Sequence, residues 1–224
     1  MIASGYPGEP MRTAAIRSAL AGLLAAAALA GCGGGGDGES AGNGCRQVSE
    51  PAPRKVKLPA PKQTVQPGEM LTAVVKTSCG SFDIALDTGR APKTTNSFAY
   101  LIRKGFYDGL GFQRVARGFV IQGGDPLGNG TGGPGYQIVE RPPPGLLYTR
   151  GVVAMAKAGI EPSGTSGSQF FVVSGGDARL TPDYALIGRV SRGMNVVERI
   201  DSLGLPDESP RQPVRIEKMT IIDG

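Results

Sequence analysis

From Leu71 onward the chain alternates short apolar runs with glycine-rich turns. LTAVVKT (71–77) and SFDIALD (81–87) have the two-residue period of strands, with Phe82, Ile84 and Leu86 on one face. Ser78, Cys79 and Gly80 between them predict the turn of an antiparallel hairpin. The period then lengthens. Behind Pro92, the segment KTTNSFAYLIRK puts Phe98, Leu101 and Ile102 on one helical stripe, and Gly105 stops it. Strand-like runs return at 111–114, 119–122, 152–156, 169–173, 185–190 and 214–222, with a second short helix at 194–202. Eight strands and two helices with few long crossovers predict a mainly β fold. The form expected is a closed eight-stranded antiparallel β-barrel capped by two α-helices, spanning 69–224.

The pattern before residue 69 is different. Residues 19–30 read ALAGLLAAAALA, an unbroken apolar run behind Arg12 and Arg17, which is the charged and apolar layout of a secretory signal. At about 1.5 Å of rise per residue the run is too short to span a hydrocarbon core of about 30 Å. Glycines 33–36 follow closely, so a buried helix is a poor alternative. Leu29-Ala30-Gly31-Cys32 resembles the lipobox of bacterial lipoproteins. There the cysteine is lipidated and the peptide before it is removed. The resemblance implies a signal peptide over 1–31, lipidation at Cys32, and an exported protein anchored to the outer face of the bacterial cell membrane. A free or paired Cys32 is the other reading. Met11 begins a better-formed signal than Met1.

Residues 32–68 are expected to be a Gly/Pro-rich tether. Its first part, 33–44, is nearly all Gly, Ser, Asp and Asn, a flexible coil. From 49 to 68 it turns proline-rich and basic (PAPRKVKLPAPK at 51–62), which favours extended polyproline conformation. A solvated spacer is the expectation there, with Arg54, Lys55, Lys57 and Lys62 within reach of anionic headgroups. Cys45 and Cys79 form an even pair in an exported chain, which suggests a disulfide fastening the tail to the domain; two free thiols are the alternative.

Composition removes several kinds of chemistry. Among the 224 residues there is no histidine, so Ser-His-Asp and Cys-His systems and imidazole bases are excluded. The 36 glycines and 18 prolines fit a tail plus a loop-rich domain. A formal charge of +5 is modest and spread out, and no basic stripe or stacking aromatics call for nucleic acid. GNGTGG at 128–133 satisfies a dinucleotide pattern, but Pro134 and Gly135 follow where that site needs a helix to start. GTSGS at 164–168 nearly makes a nucleophile elbow, yet it lacks the final glycine and any histidine to activate a serine.

The informative stretch is FQRVARGFVIQGGD at 112–125, followed by GTGG at 130–133, MAKAG at 155–159 and GSQFF at 167–171. In this order and spacing the motifs closely resemble the cyclophilin family, over roughly 71–224. The resemblance implies a peptidyl-prolyl cis-trans isomerase that assists the folding of exported, proline-containing polypeptides. It implies no metal, cofactor or nucleic acid, and a monomer is expected. Residue by residue, it assigns catalysis to Arg114, Phe119 and Gln122. It assigns the apolar proline pocket to Phe119, Val120, Phe171, Leu180 and Tyr184, and a further polar contact to Gln169. Backbone contacts fall on Ala156, Lys157 and the loop at Gly132. Three features depart from the usual pattern. Gln113 and Tyr184 stand where histidines are expected, Arg179 stands where a tryptophan is common, and the 159–167 loop is longer. These departures resemble bacterial branches of the family.

Read singly, Phe119, Phe171 and Leu180 are ordinary core residues, and Gln122 and Gln169 ordinary surface amides. Arg114 among them changes that, because a guanidinium on a strand beside apolar residues needs a partner or a task. A proline-binding or chaperone module without turnover, and a solute-binding lipoprotein, are the competing functions.

Overall fold

The computed structural model describes residues 44–224, so the apolar run and Cys32 lie outside the described residues. The expected hairpin is β1 (Leu71–Thr77) and β2 (Gly80–Leu86), in register from Thr72↔Ala85 to Thr77↔Gly80. Its turn is held by the Thr77 hydroxyl, which donates to the Gly80 carbonyl at 2.7 Å and accepts the Cys79 N–H at 3.0 Å. Gly80 sits at φ 117°, a backbone region that glycine reaches without steric cost.

Helix α1 (Pro92–Arg103) starts at the predicted proline and buries Phe98, Leu101 and Ile102. Its first turn carries no capping side chain of its own. The Glu140 carboxylate, far along the chain, accepts the Lys93 and Thr94 N–H groups at 3.1 and 2.7 Å, and so serves as the cap. The remaining elements are β3 (Arg114–Ala116), β4 (Val120–Gly123), β5 (Ile138–Val139), β6 (Val152–Met155), β7 (Thr165–Ser166) and β8 (Phe170–Val173). β9 (Leu186–Arg192), α2 (Met194–Asp201) and β10 (Ile216–Asp223) complete the chain.

Eight strands form one antiparallel sheet in the order β10-β1-β2-β9-β6-β8-β4-β3, and β5 pairs with β7 apart from it. The expected closure is corrected: the sheet curls into an open half-barrel whose edge strands, β10 and β3, do not pair with each other. The run 111–114 supplies only a single bridge, Gly111↔Arg215, and β3 begins at Arg114. Backbone bonds do cross the seam nearby, from Phe112 N to Val214 O at 3.0 Å and from Ile216 N to Leu110 O at 2.7 Å. Pro210 and Pro213 precede this point and have no N–H to continue a ladder. β3 turns instead toward the 204–210 loop, its Val115 N–H donating to the Glu208 carbonyl at 2.7 Å.

Alternation along β4, β6 and β8 feeds two clusters. Ile121, Val153, Met155, Phe170 and Val172 face the main core with α1, where the Phe170 ring meets Phe98, Tyr107 and Phe112 edge-on at 5.5, 5.6 and 6.1 Å. Val120, Ala154, Phe171 and Val173 face the other way, into a second cluster with Tyr148 and Leu186. Such strands are buried on both faces, which is why they read as continuous apolar runs.

Residues 45–66 differ from the solvated spacer expected of them. Cys45 is joined to Cys79 in the hairpin turn, as the even cysteine pair suggested. Arg46 N–H donates to Ser78 O at 2.8 Å, Arg54 N–H to Pro126 O at 2.7 Å and Leu58 N–H to Pro134 O at 2.8 Å. The Asn96 side chain then clamps both sides of the bend, accepting the Thr64 and Val65 N–H groups at 2.8 and 3.1 Å and donating to Lys62 O at 3.0 Å. Val65 is fully buried and Val56 and Leu58 pack on the main core. Proline removes the donors a ladder would need, so the segment is a strap fastened at separate points rather than a strand.

Candidate active site

Strand register builds the site. Arg114 of β3 stands opposite Gln122 of β4, Gln122 opposite Phe171 of β8, and Phe171 opposite Ala154 of β6. Directly paired residues point to the same face of a sheet, so these four form one row across the second cluster. Phe119 closes the row from the β3–β4 turn, where its N–H bonds to Ala116 O at 2.9 Å and its ring lies 5.9 Å from the Arg114 guanidinium carbon. Leu180 and Tyr184 come from the segment between β8 and β9 and pack on the same cluster. The Tyr184 ring stands edge-on to Phe171 at 5.5 Å.

Tyr184 is held from behind. The Tyr148 hydroxyl donates to Tyr184 O at 2.6 Å and accepts Tyr184 N–H at 3.0 Å, and burial pushes the Tyr148 phenol up to about 12. Lys157 Nζ lies 5.6 Å from the Tyr184 ring centre and pairs with Asp183 at 2.7 Å. The hydrogen bond from Lys157 holds the Asp183 carboxyl below its ordinary value. The Lys157 side chain is therefore committed inward, leaving its backbone as the part available to a ligand. Val120, two positions from Gln122 on the same face of β4, is fully buried in the second cluster beside the row.

A chain of polar groups runs along the other flank. Arg114 Nη1 donates to Gln122 Oε1 at 3.3 Å, and Gln122 Nε2 donates to Gln169 Oε1 at 3.0 Å. Gln113 Nε2 reaches the same oxygen at 3.1 Å, in the position where a histidine was expected. Gln169 Nε2 donates to the carbonyls of Gly130 and Gly132 at 2.9 and 3.0 Å, tying the glycine loop to the site, while Gln169 O accepts the Ala156 N–H at 2.8 Å. All ten residues expected at the site fall within this one region; Arg179 sits exposed at its margin, with φ 50° and its N–H on Asp177.

Two partners were not legible in the sequence. Glu208 Oε2 accepts Arg114 Nε at 2.6 Å, so a carboxylate 94 positions away orients the guanidinium. No motif surrounds Glu208; only the need of a strand arginine for a partner pointed toward such a group. The other is the strap. Residues 54–56 line a cleft of about 1020 Å³ that shares Gln122, Ala156 and Gln169 with the polar flank.

Compared with known proteins, residues 72–221 match the family model described as cyclophilin type peptidyl-prolyl cis-trans isomerase/CLD. The chain belongs to that family. Among curated relatives it is 39% identical over 153 residues to "Peptidyl-prolyl cis-trans isomerase-like 1" of Neurospora crassa, covering 66% of this chain and 92% of the relative. It is 39% identical over 171 residues to "Peptidyl-prolyl cis-trans isomerase B" of Streptomyces anulatus, covering 68% and 94%. A cyclophilin type isomerase of Cryptosporidium parvum, solved in the presence of the dipeptide Ala-Pro, superposes with a TM-score of 0.63 at 28% identity, covering 68% of this chain and 99% of that one. As in the family's motif order, the apolar row and the arginine of this cyclophilin meet along one sheet face. A guanidinium thus stands beside an apolar cluster of Phe119, Phe171, Leu180 and Tyr184.

Proposed function

We propose that this cyclophilin is an exported, lipid-anchored peptidyl-prolyl cis-trans isomerase that speeds the folding of proline-containing clients outside the cytoplasm. The observation that carries the catalytic reading is the row Arg114–Gln122–Phe171 beside Phe119 and Tyr184. Rotation about an X-Pro bond is opposed by about 18–20 kcal/mol because resonance flattens the amide. In the twisted state that resonance is lost and the prolyl nitrogen regains a lone pair. Phe119, Phe171, Leu180 and Tyr184 hold the ring while the preceding carbonyl swings, and the terminal N–H groups of Arg114 donate to that nitrogen. A contact made only in the twisted state lowers the barrier. An acceleration of about 10⁵ requires about 7 kcal/mol, within reach of one charged hydrogen bond plus positioning and partial desolvation.

The test is turnover of an Ala-Pro peptide, measured by NMR exchange on the full-length chain. Arg114→Ala should lower the rate by about 10²–10³ while peptide affinity changes far less. Arg114→Lys should restore little, because an ammonium lacks the fixed planar fork. An Arg114→Ala protein with unchanged melting that isomerises within a few-fold of wild type would leave only a proline-binding module.

Export is supported by the signal-like run, the lipobox-like Leu29–Cys32 stretch, and the Cys45–Cys79 bond, since disulfides persist in oxidising compartments. Intact mass from membrane fractions should give a chain starting at a modified Cys32, and Cys32→Ser should shift the protein to the soluble fraction. A Cys32→Ser protein still held at the membrane would refute the anchor.

A further inference from the structure

The strap does more than extend the domain. It runs along the 126–134 loop, fixed at Arg54 N and Leu58 N, and between those points residues 54–56 form one wall of the cleft beside the proline pocket. The lining also includes Gln122 and Gln169, the polar groups bonded in series to Arg114, so the cleft adjoins the row that carries the arginine. The wall cannot drift far, because Cys45–Cys79 fastens the strap upstream and the Asn96 clamp fastens it downstream.

The charged groups of the cleft are Arg54, Lys55, Lys157 and Glu161. Three are committed. Arg54 donates to the carbonyls of Phe106 and Asp108, Lys157 pairs with Asp183, and the Glu161 carboxylate accepts Ala158 N–H at 2.6 Å and the Gln137 amide. Lys55 is exposed and pairs with no acid among the described residues. Hydrogen bonds to neutral groups leave the charges of Arg54 and Glu161 in place, whereas Lys157 is neutralised by Asp183, so the cleft carries two cations against one anion and Lys55 supplies the positive excess.

We infer that residues 54–56 are part of the substrate-binding surface, and that Lys55 selects proline-containing segments bearing an acidic side chain next to the proline. This rests on the isomerase reading for turnover, but the binding preference stands apart from it. An exposed, partly screened ion pair changes discrimination by only a small factor, so the expected effect is modest.

The experiment uses the full-length chain and short peptides centred on Ala-Pro, with Glu, Ala or Lys placed one or two residues to either side. Both kcat/KM and peptide affinity are measured at low and high salt, each normalised to the all-alanine peptide. At one of these positions the Glu peptide should exceed the Lys peptide by about two- to fivefold at low salt, and the gap should shrink at high salt. Lys55→Glu should invert the order and Lys55→Gln should abolish it. Equal ratios in wild type and Lys55→Glu, or no Glu preference at any position in wild type, would overturn the inference. Charge-selective binding without turnover of any peptide would instead remove the isomerase reading and leave the cleft assignment standing.

Discussion

Phe170 and Phe171 are the same residue type, adjacent on one strand and both under five per cent exposed, at 0% and 4%, yet they belong to different parts of the molecule. Phe170 is sealed among Phe98, Tyr107 and Phe112 in the main core. Phe171 looks out through the other face of β8, pairs in register with Gln122, and meets Tyr148 and Tyr184. Burial alone does not separate them. What separates them is the two-residue period of the strand, which sends neighbours to opposite faces. One face joins the main core and the other joins the second cluster beside Arg114, and the same four-residue strand serves both.

Truncation is the strongest way to break this comparison. Phe170→Ala empties a site enclosed on every side and should cost about 3–5 kcal/mol in chemical unfolding, with little change in turnover per folded molecule. Phe171→Ala should cost less stability, because its neighbours Gln122 and Tyr184 are only partly buried, but should raise KM and lower kcat/KM for Ala-Pro peptides. Equal stability losses with unchanged kinetics for both would mean that Phe171 is core and that the row does not bind substrate.

The GSQFF motif placed both phenylalanines on a strand, and the family resemblance singled out Phe171; only the structure gave the contacts of each. Local signals served well where a single element decides its own form: the β1–β2 hairpin and the α1 stripe both follow from short stretches of sequence. They failed where distant segments meet. Glu140 capping α1 and Glu208 holding Arg114 are long-range choices with no local trace. Closure of the barrel depended on whether 111–114 would pair along its length, and prolines near β10 limited it to one bridge. The strap misled for a related reason. Its composition describes what the segment favours alone, whereas the Asn96 clamp and the carbonyls of Pro126 and Pro134 are supplied by the domain.

A second comparison, between the strap and the pocket, is sharpened by removing the fastening far from the chemistry. The Cys45–Cys79 link closes a loop with a separation of 34 positions. Cys45→Ser should cost about 2–4 kcal/mol by freeing the unfolded chain. Neutral Ala-Pro turnover at a temperature well below the melt should hold, since the row Arg114–Gln122–Phe171 lies on strands the strap does not form. Denaturant midpoints that coincide for wild type and Cys45→Ser would show that the bond does not stabilise the folded domain.

The smallest expected effect is that of pH, and its absence is itself a test. The chain has no histidine, and arginine side chains do not lose their proton in proteins. The other charged groups around the row are Glu208 on Arg114 and the Lys157–Asp183 pair behind Tyr184. Asp183 is depressed below 3.8, chiefly by the hydrogen bond from Lys157, so what the pair contributes is present above that ordinary value and is lost only as pH falls through the lowered one. Tyr148 moves the other way, raised by burial from 10.0 to about 12, so its contribution is complete below 10.0 and is lost as pH climbs toward 12. Neither window reaches neutrality. Turnover of an uncharged Ala-Pro peptide should therefore be level from about pH 5 to pH 9, with melting temperature falling only beyond those limits. A bell-shaped profile with a limb near neutral pH would require a proton to move during rotation. The pocket would then hold an acid or base that its charged hydrogen bonds do not reveal, and Arg114 would no longer suffice as the group that meets the prolyl nitrogen.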